Sequence, residues 1–403
     1  MYYRSVGQIP RTRHTIFTTK EGKPAFEELM GEEGFSGSAS HVYHLGIPAN
    51  LVDSRTWDLG DLSLEVNAPL RPRHFRLPEL FPAGSEKGKD LVRDRRLILG
   101  NADVRISYVV ADTVSPLYSN GIGDEVIYIE SGEADIESVF GTVRVGQGDN
   151  VIVPRATIHR WVPVNGPVKA YCVEGVGHIS IPAKYLTRFG QFLEGSPLNE
   201  RDMRGPTEPL LAPADIADKD TEVYMKHGSG ADVHGSVFVY DHHPFDVVGW
   251  DGYLYPYAFN WRDFSPVTGK VLQPPPTYQI LEGHNFVVCN FVPRMLEYGE
   301  GAITVPYYHS NVDADEVMFY YAGETAARKG TGIGNASVSL HPAAYTHGPT
   351  RQAYLDSVGA AESKEMAFMV DTLNTLMVGE GALACDDDAY PWSWAGRRTP
   401  HGG

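Results

Sequence analysis

The sequence predicts an all-β protein with minor helix, built from two domains that each carry one copy of a duplicated β-module. The composition is the first reason. Its 403 residues include 42 Gly, 28 Pro, 22 Tyr and 16 Phe, which is typical of many short strands joined by tight turns. The second reason is that short stretches of alternating apolar and polar residues recur along the chain. The third is a phrase that occurs twice.

The repeated phrase is HSNVDADEVMFYYAGE at 309–324 and YSNGIGDEVIYIESGE at 118–133. Aligned without a gap, the two copies share Ser-Asn, then Asp-Glu-Val, and a closing Gly-Glu. The first position differs, because the later copy has a histidine where the earlier copy has a tyrosine.

A second phrase follows each copy. It reads Pro-x-Ala-x-x-His, as PRATIH at 154–159 and PAAYTH at 342–347. Its histidine lies 34 residues after the glutamate of the first copy and 31 residues after that of the second. Two matched phrases at nearly equal separation indicate a duplication rather than chance.

The positions of the two copies suggest an N-terminal domain over 1–245, with its module at about 98–181, and a C-terminal domain over 246–403. The segment 193–220 is rich in Pro, Gly and charge and is predicted to connect them. Apolar residues at helical spacing over 366–377 make this stretch the best helix candidate. No Gly-rich phosphate loop opens a helix and no GxSxG elbow occurs, which disfavours a nucleotide-binding α/β fold and an α/β-hydrolase.

Charge and cysteine use narrow the class of protein. The net charge of −17 repels nucleic-acid phosphates and anionic lipid, so we expect neither nucleic acid nor membrane as a partner. The cysteines Cys172, Cys289 and Cys385 form no CxxC pair, which disfavours a disulfide framework and a zinc ribbon. The N-terminus has no apolar signal segment, and no run of 18 apolar residues occurs. We therefore expect a cytoplasmic protein.

The paired phrases resemble the two motifs of the cupins, which are small jelly-roll β-barrels. The matching positions are His309, Asn311, Glu316 and Gly323 for the first motif, and Pro342, Ala344 and His347 for the second. An asparagine stands where the first motif has a second histidine. The resemblance implies a bicupin-like architecture: an N-terminal β-sandwich with a degenerate cupin, followed by a C-terminal jelly-roll cupin whose motif side chains converge on one metal.

The residue types themselves favour iron. Two neutral imidazoles, His309 and His347, together with the carboxylate of Glu316 form the 2-His-1-carboxylate set of non-haem Fe(II) enzymes. This set leaves coordination positions open for substrate and O₂, unlike a closed Cys-rich zinc site. The alternative is a pair of buried, hydrogen-bonded histidines beside a structural glutamate.

The first copy has lost part of this set. The equivalent positions are Tyr118, Asn120, Glu125 and His159, so a phenol replaces one imidazole. The pKa of a free phenol is near 10, which makes tyrosine a poor ligand for Fe(II). We therefore predict that the first module is a structural barrel.

A narrower resemblance extends along nearly the whole chain. It is to homogentisate 1,2-dioxygenases, and most closely to their bacterial branch. The stretches that carry it are YYRSVGQIPRTRHTIF, GFSGSASHVYH, FDVVGWDGYLYPYAFN, VPYYHSNVDADEVMFY, SLHPAAYTHGP and MAFMVDT. The resemblance implies an Fe(II) enzyme, and a homo-oligomer, that opens the ring of a hydroquinone bearing an acetate group and inserts both atoms of O₂. It also implies that His309, Glu316 and His347 bind the iron and that His341 is a further active-site histidine.

One stretch departs from this family. KVLQPPPTYQI at 270–280 lacks the histidine that the family has there as a proposed general base, and Leu272, Gln273 and Tyr278 occupy the neighbourhood. Glu324-Thr325 stands where the family has a tyrosine. Two weaker candidates lie close by: His284 as a replacement base or a solvated loop residue, and Arg294 as a carboxylate partner or a structural cation.

Three functions therefore remain open. The first is ring-cleaving dioxygenation of a hydroquinone carboxylate. The second is a cupin metalloenzyme of other chemistry, such as an isomerase or another oxygenase. The third is a cupin that retains metal and binds or stores a ligand without turnover.

Overall fold

The computed structural model describes residues 2–230, 232–322, 328 and 330–395. Within them strands dominate and helices are short, so the predicted all-β class with minor helix is confirmed. None of the helices in this part of the chain combines the length and apolar character needed to cross a membrane. Gly323 and the Glu324-Thr325 pair lie outside the described residues.

The strands begin in chain order with β1 (Arg4–Gly7), β2 (Phe17–Thr18), β3 (Pro24–Gly31), β4 (Ala39–His44), β5 (Leu51–Trp57), β6 (Leu64–Glu65), β7 (Arg73–Arg76), β8 (Arg96–Gly100), β9 (Val104–Ala111), β10 (Leu117–Asn120), β11 (Glu125–Ser138), β12 (Gly141–Gly146) and β13 (Asp149–Val153). They continue with β14 (His159–Gly175), β15 (Thr221–Ser229), β16 (Asp232–Tyr240), β17 (Val247–Gly252), β18 (Tyr257–Asn260), β19 (Gln279–Gly283), β20 (Phe286–Phe291), β21 (Arg294–Met295), β22 (Asp315–Ala322), β23 (Ser337–His341), β24 (Glu362–Ser363), β25 (Met366–Thr372) and β26 (Met377–Gly379). The α-helices are α1 (Arg351–Ser357) and α2 (Glu380–Leu383).

The first of two compact units consists of Met1–Gly60, Ser85–Arg95 and Tyr108–Asn260. One of its sheets has the strand order β1-β17-β4-β3-β2, and a larger one contains the neighbours β5-β16-β15-β10-β14. In the larger sheet β11 pairs with β14 along most of its length, around a fully buried apolar core. Tyr118 on β10 is the cross-strand partner of His159 on β14, which brings two motif positions of the first copy together.

The second unit consists of Asp61–Gly84, Arg96–Ser107 and Trp261–Gly403. Its main sheet has the antiparallel order β19-β20-β25-β22-β23-β7. Glu316 on β22 faces His341 on β23 and Asp371 on β25 as its cross-strand partners. The central strands are buried, so the glutamate of the second copy stands in the middle of the sheet.

The compact units divide near residue 260, and the boundary predicted between 245 and 246 falls inside the first unit. β17 belongs there because it pairs with β1 and β4, and β18 because it pairs with β13. Conversely, β7 pairs with β23 and belongs to the second unit. As a division into domains, 1–245 and 246–403 stays a prediction.

The helix predicted over 366–377 is wrong. Met366–Thr372 forms β25, which lies between β20 and β22 in the main sheet of the second unit. A central strand is covered on both faces, so it carries apolar residues at nearly every position, and such a run also satisfies helical spacing. The described α-helices lie on either side of this stretch, at Arg351–Ser357 and Glu380–Leu383.

The repeated Asp-Glu has a structural explanation in each unit. In the first, the carboxylate of Asp124 accepts hydrogen bonds from the backbone N–H groups of Arg155 (2.7 Å) and Ile179 (2.8 Å). In the second, Asp315 accepts from the N–H groups of Ala343 (2.7 Å) and Leu376 (2.7 Å). The aspartate of each copy therefore holds two loops, and this leaves the neighbouring glutamate for a separate role.

Replacing Asp124 with alanine should remove the acceptors of two backbone N–H groups at once. We expect a loss of about 2–6 kcal/mol in the free energy of unfolding, because each of the two unpaired donors costs about 1–3 kcal/mol. Urea denaturation measures this loss. Asp218→Ala, at an exposed site, is the control and should match the wild type. An Asp124→Ala protein as stable as this control would contradict the account of the repeat.

Candidate metal centre

His309 and His347 are held side by side by their own backbones. The N–H of each donates to the carbonyl oxygen of the other at 2.9 Å, and the two ring centroids are 4.3 Å apart. Glu316 approaches both rings from β22, so that one potential ligand atom from each of the three residues lies within 4.8 Å of the other two. The structure thus brings together the three residues that the sequence predicts as metal ligands.

Both imidazoles are oriented in the same way. The Nδ1 atom of His309 lies 3.0 Å from the carbonyl oxygen of Tyr307, and that of His347 lies 3.0 Å from the carbonyl oxygen of Tyr345. A carbonyl can only accept, so each Nδ1 carries the proton and donates it. Each Nε2 is then left with its lone pair on the side of Glu316, which is the state that binds a metal.

The donor set fits a divalent cation. The Nε2 atom of His347 is buried and makes no hydrogen bond, although it lies 3.2 Å from Oε1 of Glu316. The Nε2 atom of His309 lies 3.5 Å from Oε2 of the same carboxylate. Burial alone would raise the pKa of Glu316, but hydrogen bonding to the histidines around it, including the Nδ1–H of His341, holds this pKa well below its usual range. An ionised carboxylate and two imidazole lone pairs converge on one place, and a cation there would satisfy all three.

His341 contacts the glutamate rather than completing the triad. Its Nδ1 atom lies 2.8 Å from Oε1 of Glu316, and its Nε2 atom lies 2.8 Å from the hydroxyl of Tyr390. Burial lowers the pKa of His341 to about 4, so the ring is neutral. It donates from Nδ1 to the carboxylate and accepts from the tyrosine. Both ring nitrogens are engaged, which suits a residue that positions Glu316; the catalytic role predicted for His341 stays a prediction.

The triad lies in the wall of a cavity of the second unit. About 750 Å³ of space, including its open mouth, lies between the lining residues. Apolar and aromatic side chains form much of the lining, among them Leu272, Tyr278, Phe291, Met318 and Met369. Tyr278 and Phe291 stack with their ring centroids 4.8 Å apart.

The stretch that departs from the family also lines this cavity, through Leu272, Gln273 and Tyr278. Arg294 and Glu365 supply charge there. His284 is not among the lining residues, and its side chain is 65% exposed, as expected of a solvated loop histidine. Glu365 and Tyr390 also reach the site, and because neither belongs to a motif, the sequence carries no local signal for them.

In the first copy, an arginine occupies the side of the glutamate where a metal would bind. Nη2 of Arg95 donates to Oε2 of Glu125 at 3.0 Å, while the hydroxyl of Tyr118 (2.8 Å) and Nδ2 of Asn120 (2.9 Å) both donate to Oε1. Burial would raise the pKa of Glu125, but Arg95 outweighs it and lowers this pKa. The carboxylate is therefore fully partnered by protein groups.

A second ion pair completes this network. Nη1 of Arg95 donates to Oε1 of Glu174 at 2.9 Å, and Nζ of Lys226 donates to Oε2 of Glu174 at 2.5 Å. Two buried carboxylates thus face two buried cations, and the net charge is balanced without a metal. The arrangement agrees with the prediction of a structural barrel.

Among the described residues, one other group has the composition of a metal site: Glu32, Asp124 and His178 in the first unit. Both oxygens of Asp124 already accept backbone N–H groups, and Nδ1 of His178 lies 3.2 Å from Oε1 of Glu32. The aspartate of this group is therefore already engaged in holding two loops.

Comparison with known proteins gives two family matches. Residues 85–261 match the model of the homogentisate 1,2-dioxygenase N-terminal domain, and residues 258–399 match that of the C-terminal domain. A candidate dioxygenase of Saccharolobus solfataricus is 34% identical over 398 residues, covering 98% of this chain and 99% of that protein.

Named homogentisate 1,2-dioxygenases are more distant. The one from Rhodopseudomonas palustris is 29% identical over 297 residues, which is 69% of this chain and 62% of that enzyme. The one from Emericella nidulans is 28% identical over 326 residues, which is 74% of this chain and 68% of that enzyme. The match thus spans about two thirds or less of these enzymes. A cupin barrel protein from Leptotrichia buccalis superposes with a TM-score of 0.33 at 9% identity over 79% of this chain and all of that one, too weakly to support an argument.

Glu316→Ala should abolish iron retention, because it removes the only carboxylate of the triad. His341→Ala should still hold iron when saturated but bind it about 10–100-fold more weakly, the usual effect of removing a residue that orients a ligand. Metal analysis after anaerobic loading and competition with a chelator measures both. Asp313→Ala, at an exposed site, is the control. Complete loss of iron in His341→Ala would show that His341 is itself a ligand.

Arg95→Met should destabilise the protein by about 3–5 kcal/mol. It removes the cation that pairs with the buried carboxylate of Glu125, and it leaves Glu174 paired through Oε2 alone, with Lys226. It should not change iron retention in the second unit. Urea denaturation tests the first statement and metal analysis the second. Arg55→Met breaks a solvent-exposed ion pair with Glu222 and should unfold at the wild-type urea concentration. Binding of one iron by wild-type protein in the first unit would contradict the structural role of Arg95.

Proposed function

The chain belongs to the homogentisate 1,2-dioxygenase family, and we propose that it is an Fe(II)-dependent dioxygenase that opens the ring of a hydroquinone carboxylate, such as homogentisate or a related aromatic compound. The observation that carries the proposal is the position of His309, Glu316 and His347 in the wall of a largely apolar cavity.

Bound Fe(II) would supply O₂ activation and Lewis acidity, since the 2-His-1-carboxylate set leaves positions open. The protein supplies the surroundings. His341 keeps Glu316 in one orientation through its Nδ1–H, and Tyr390 keeps His341 in the tautomer that can do so.

The cavity suits a flat aromatic anion. Tyr278 and Phe291 offer ring surfaces for stacking, and Met318 and Met369 exclude water from the space beside Glu316. Arg294 adds a permanent positive charge that compensates the negative charge of the substrate.

A substrate screen tests the function. Anaerobically iron-loaded protein is mixed with homogentisate, gentisate and other hydroquinones, air is admitted, and O₂ consumption is followed. We expect one hydroquinone carboxylate to consume one O₂ per molecule and to yield a ring-opened product that carries both atoms of labelled O₂. The Asp313→Ala protein should behave like the wild type, and the Glu316→Ala protein should consume no O₂.

Absence of O₂ consumption with every hydroquinone, in protein that does hold iron, would contradict the dioxygenase proposal. Incorporation of a single labelled oxygen atom would also contradict ring cleavage by a dioxygenase.

A further inference from the structure

Glu365 is a buried carboxyl group for which the described part of the chain supplies no hydrogen-bond partner. It lines the cavity of the triad and is 9% exposed. Its backbone N–H donates to Oγ of Ser363, but within the described residues its carboxyl group makes neither a hydrogen bond nor an ion pair. Burying such a group costs free energy unless something pairs with it. A partner that arrives with a bound molecule would resolve this cost.

The strand register places Glu365 away from the triad. Glu316, Met318 and Tyr320 alternate along β22 and all line the cavity, and their cross-strand partners on β25 are Asp371, Met369 and Ala367. Glu365 directly precedes β25, beyond the level of Ala367, and has the same two-residue phase as Met369. The carboxyl group of Glu365 therefore lies on the wall of the cavity at the N-terminal end of β25, six residues before Asp371, the cross-strand partner of Glu316.

Arg294 accompanies it at that end. Its guanidinium lies over the ring of Tyr278, 4.8 Å from the centroid, and its charge lowers the pKa of Glu365. Among the described residues its buried Nε–H has no hydrogen-bond partner, and Nη1 donates a long hydrogen bond, 3.5 Å, to the carbonyl oxygen of Val292. A donor with permanent charge and an unpartnered acceptor thus face the same space.

We propose that Glu365 is the general base of this site: its carboxylate takes the proton of the ring hydroxyl that lies away from the metal, and Arg294 stabilises the phenolate that results. This inference rests on the proposed function. The hydroxyl O–H bond breaks, its electron pair stays on the phenolate oxygen, and the proton forms a new O–H bond on the carboxyl group. The proton returns when the product leaves.

A different residue can act as the base here, because the stretch 270–280 has no histidine. Burial raises the pKa of Glu365, which brings a carboxylate closer to the range in which it is an effective base. Arg294 and Glu316 change the pKa of Glu365 through their charges, and the charge of Glu365 in turn raises the pKa values of Tyr278 and Tyr320. Among these, Arg294 supplies the positive charge that opposes the effect of burial on the pKa of Glu365.

The test compares Glu365→Gln, which keeps the shape but cannot accept the proton, with wild type and with Glu365→Asp. Glu362→Gln changes an exposed carboxyl group of the same segment and is the matched control. In the iron-loaded proteins we expect Glu365→Gln to retain iron and to lose about 10²-fold or more in kcat, the usual share of a general base. Glu365→Asp should recover part of that loss, and Glu362→Gln should match the wild type.

A second readout does not depend on turnover. Under anaerobic conditions, ultraviolet difference spectra report whether a bound hydroquinone becomes a phenolate. The wild type should form the phenolate, and should form less as the pH falls and Glu365 takes up a proton. Glu365→Gln should bind the hydroquinone without this pH-dependent phenolate signal.

The outcomes separate the two proposals. Turnover by the wild type with an unchanged kcat and an unchanged phenolate signal in Glu365→Gln would overturn the role of Glu365 alone. Phenolate formation that depends on Glu365 without O₂ consumption would overturn the dioxygenase function and support the base. A wild type that binds no hydroquinone would overturn both.

Discussion

A buried glutamate that needs positive charge beside it is the constraint on which each half of this protein depends. An ionised carboxylate taken out of water is strongly destabilising unless a cation or several hydrogen-bond donors reach it. Glu125 and Glu316 occupy the same place in the repeated phrase, and each is almost fully buried. In the first copy the cation belongs to the protein, as Arg95. In the second, imidazoles surround the carboxylate and leave space for a cation from outside.

This difference explains why the first position of the repeat is a tyrosine in one copy and a histidine in the other. Tyr118 donates a hydrogen bond to Glu125 and so helps to close a finished network, whereas His309 brings a lone pair to Glu316. The neighbouring aspartate keeps one task in both copies, since each holds two backbone N–H groups. Duplication therefore preserved the hydrogen bonds that the aspartate accepts from two loops. It let the buried glutamate acquire either a structural or a metal-binding partner.

The sequence predicted what lies close together along the chain and failed where distant segments meet. The triad and the loss of a ligand in the first copy follow from spacing within two short phrases. Arg95, Glu365 and Tyr390 reach their sites from other segments, and no local pattern marks them. The strand Met366–Thr372 also satisfies helical spacing, because burial on both faces erases the alternation that identifies a strand. The β7 strand joins the second unit by pairing with β23. The two strands are distant in sequence, so composition along the chain does not reveal that they pair.

The most direct test of this account is an anomalous difference map at the iron absorption edge, from crystals of protein loaded anaerobically with Fe(II). The account predicts one peak per chain, bounded by His309, Glu316 and His347, and no peak between Arg95 and Glu125. An empty second-copy triad, or iron bound at Glu125, would contradict it.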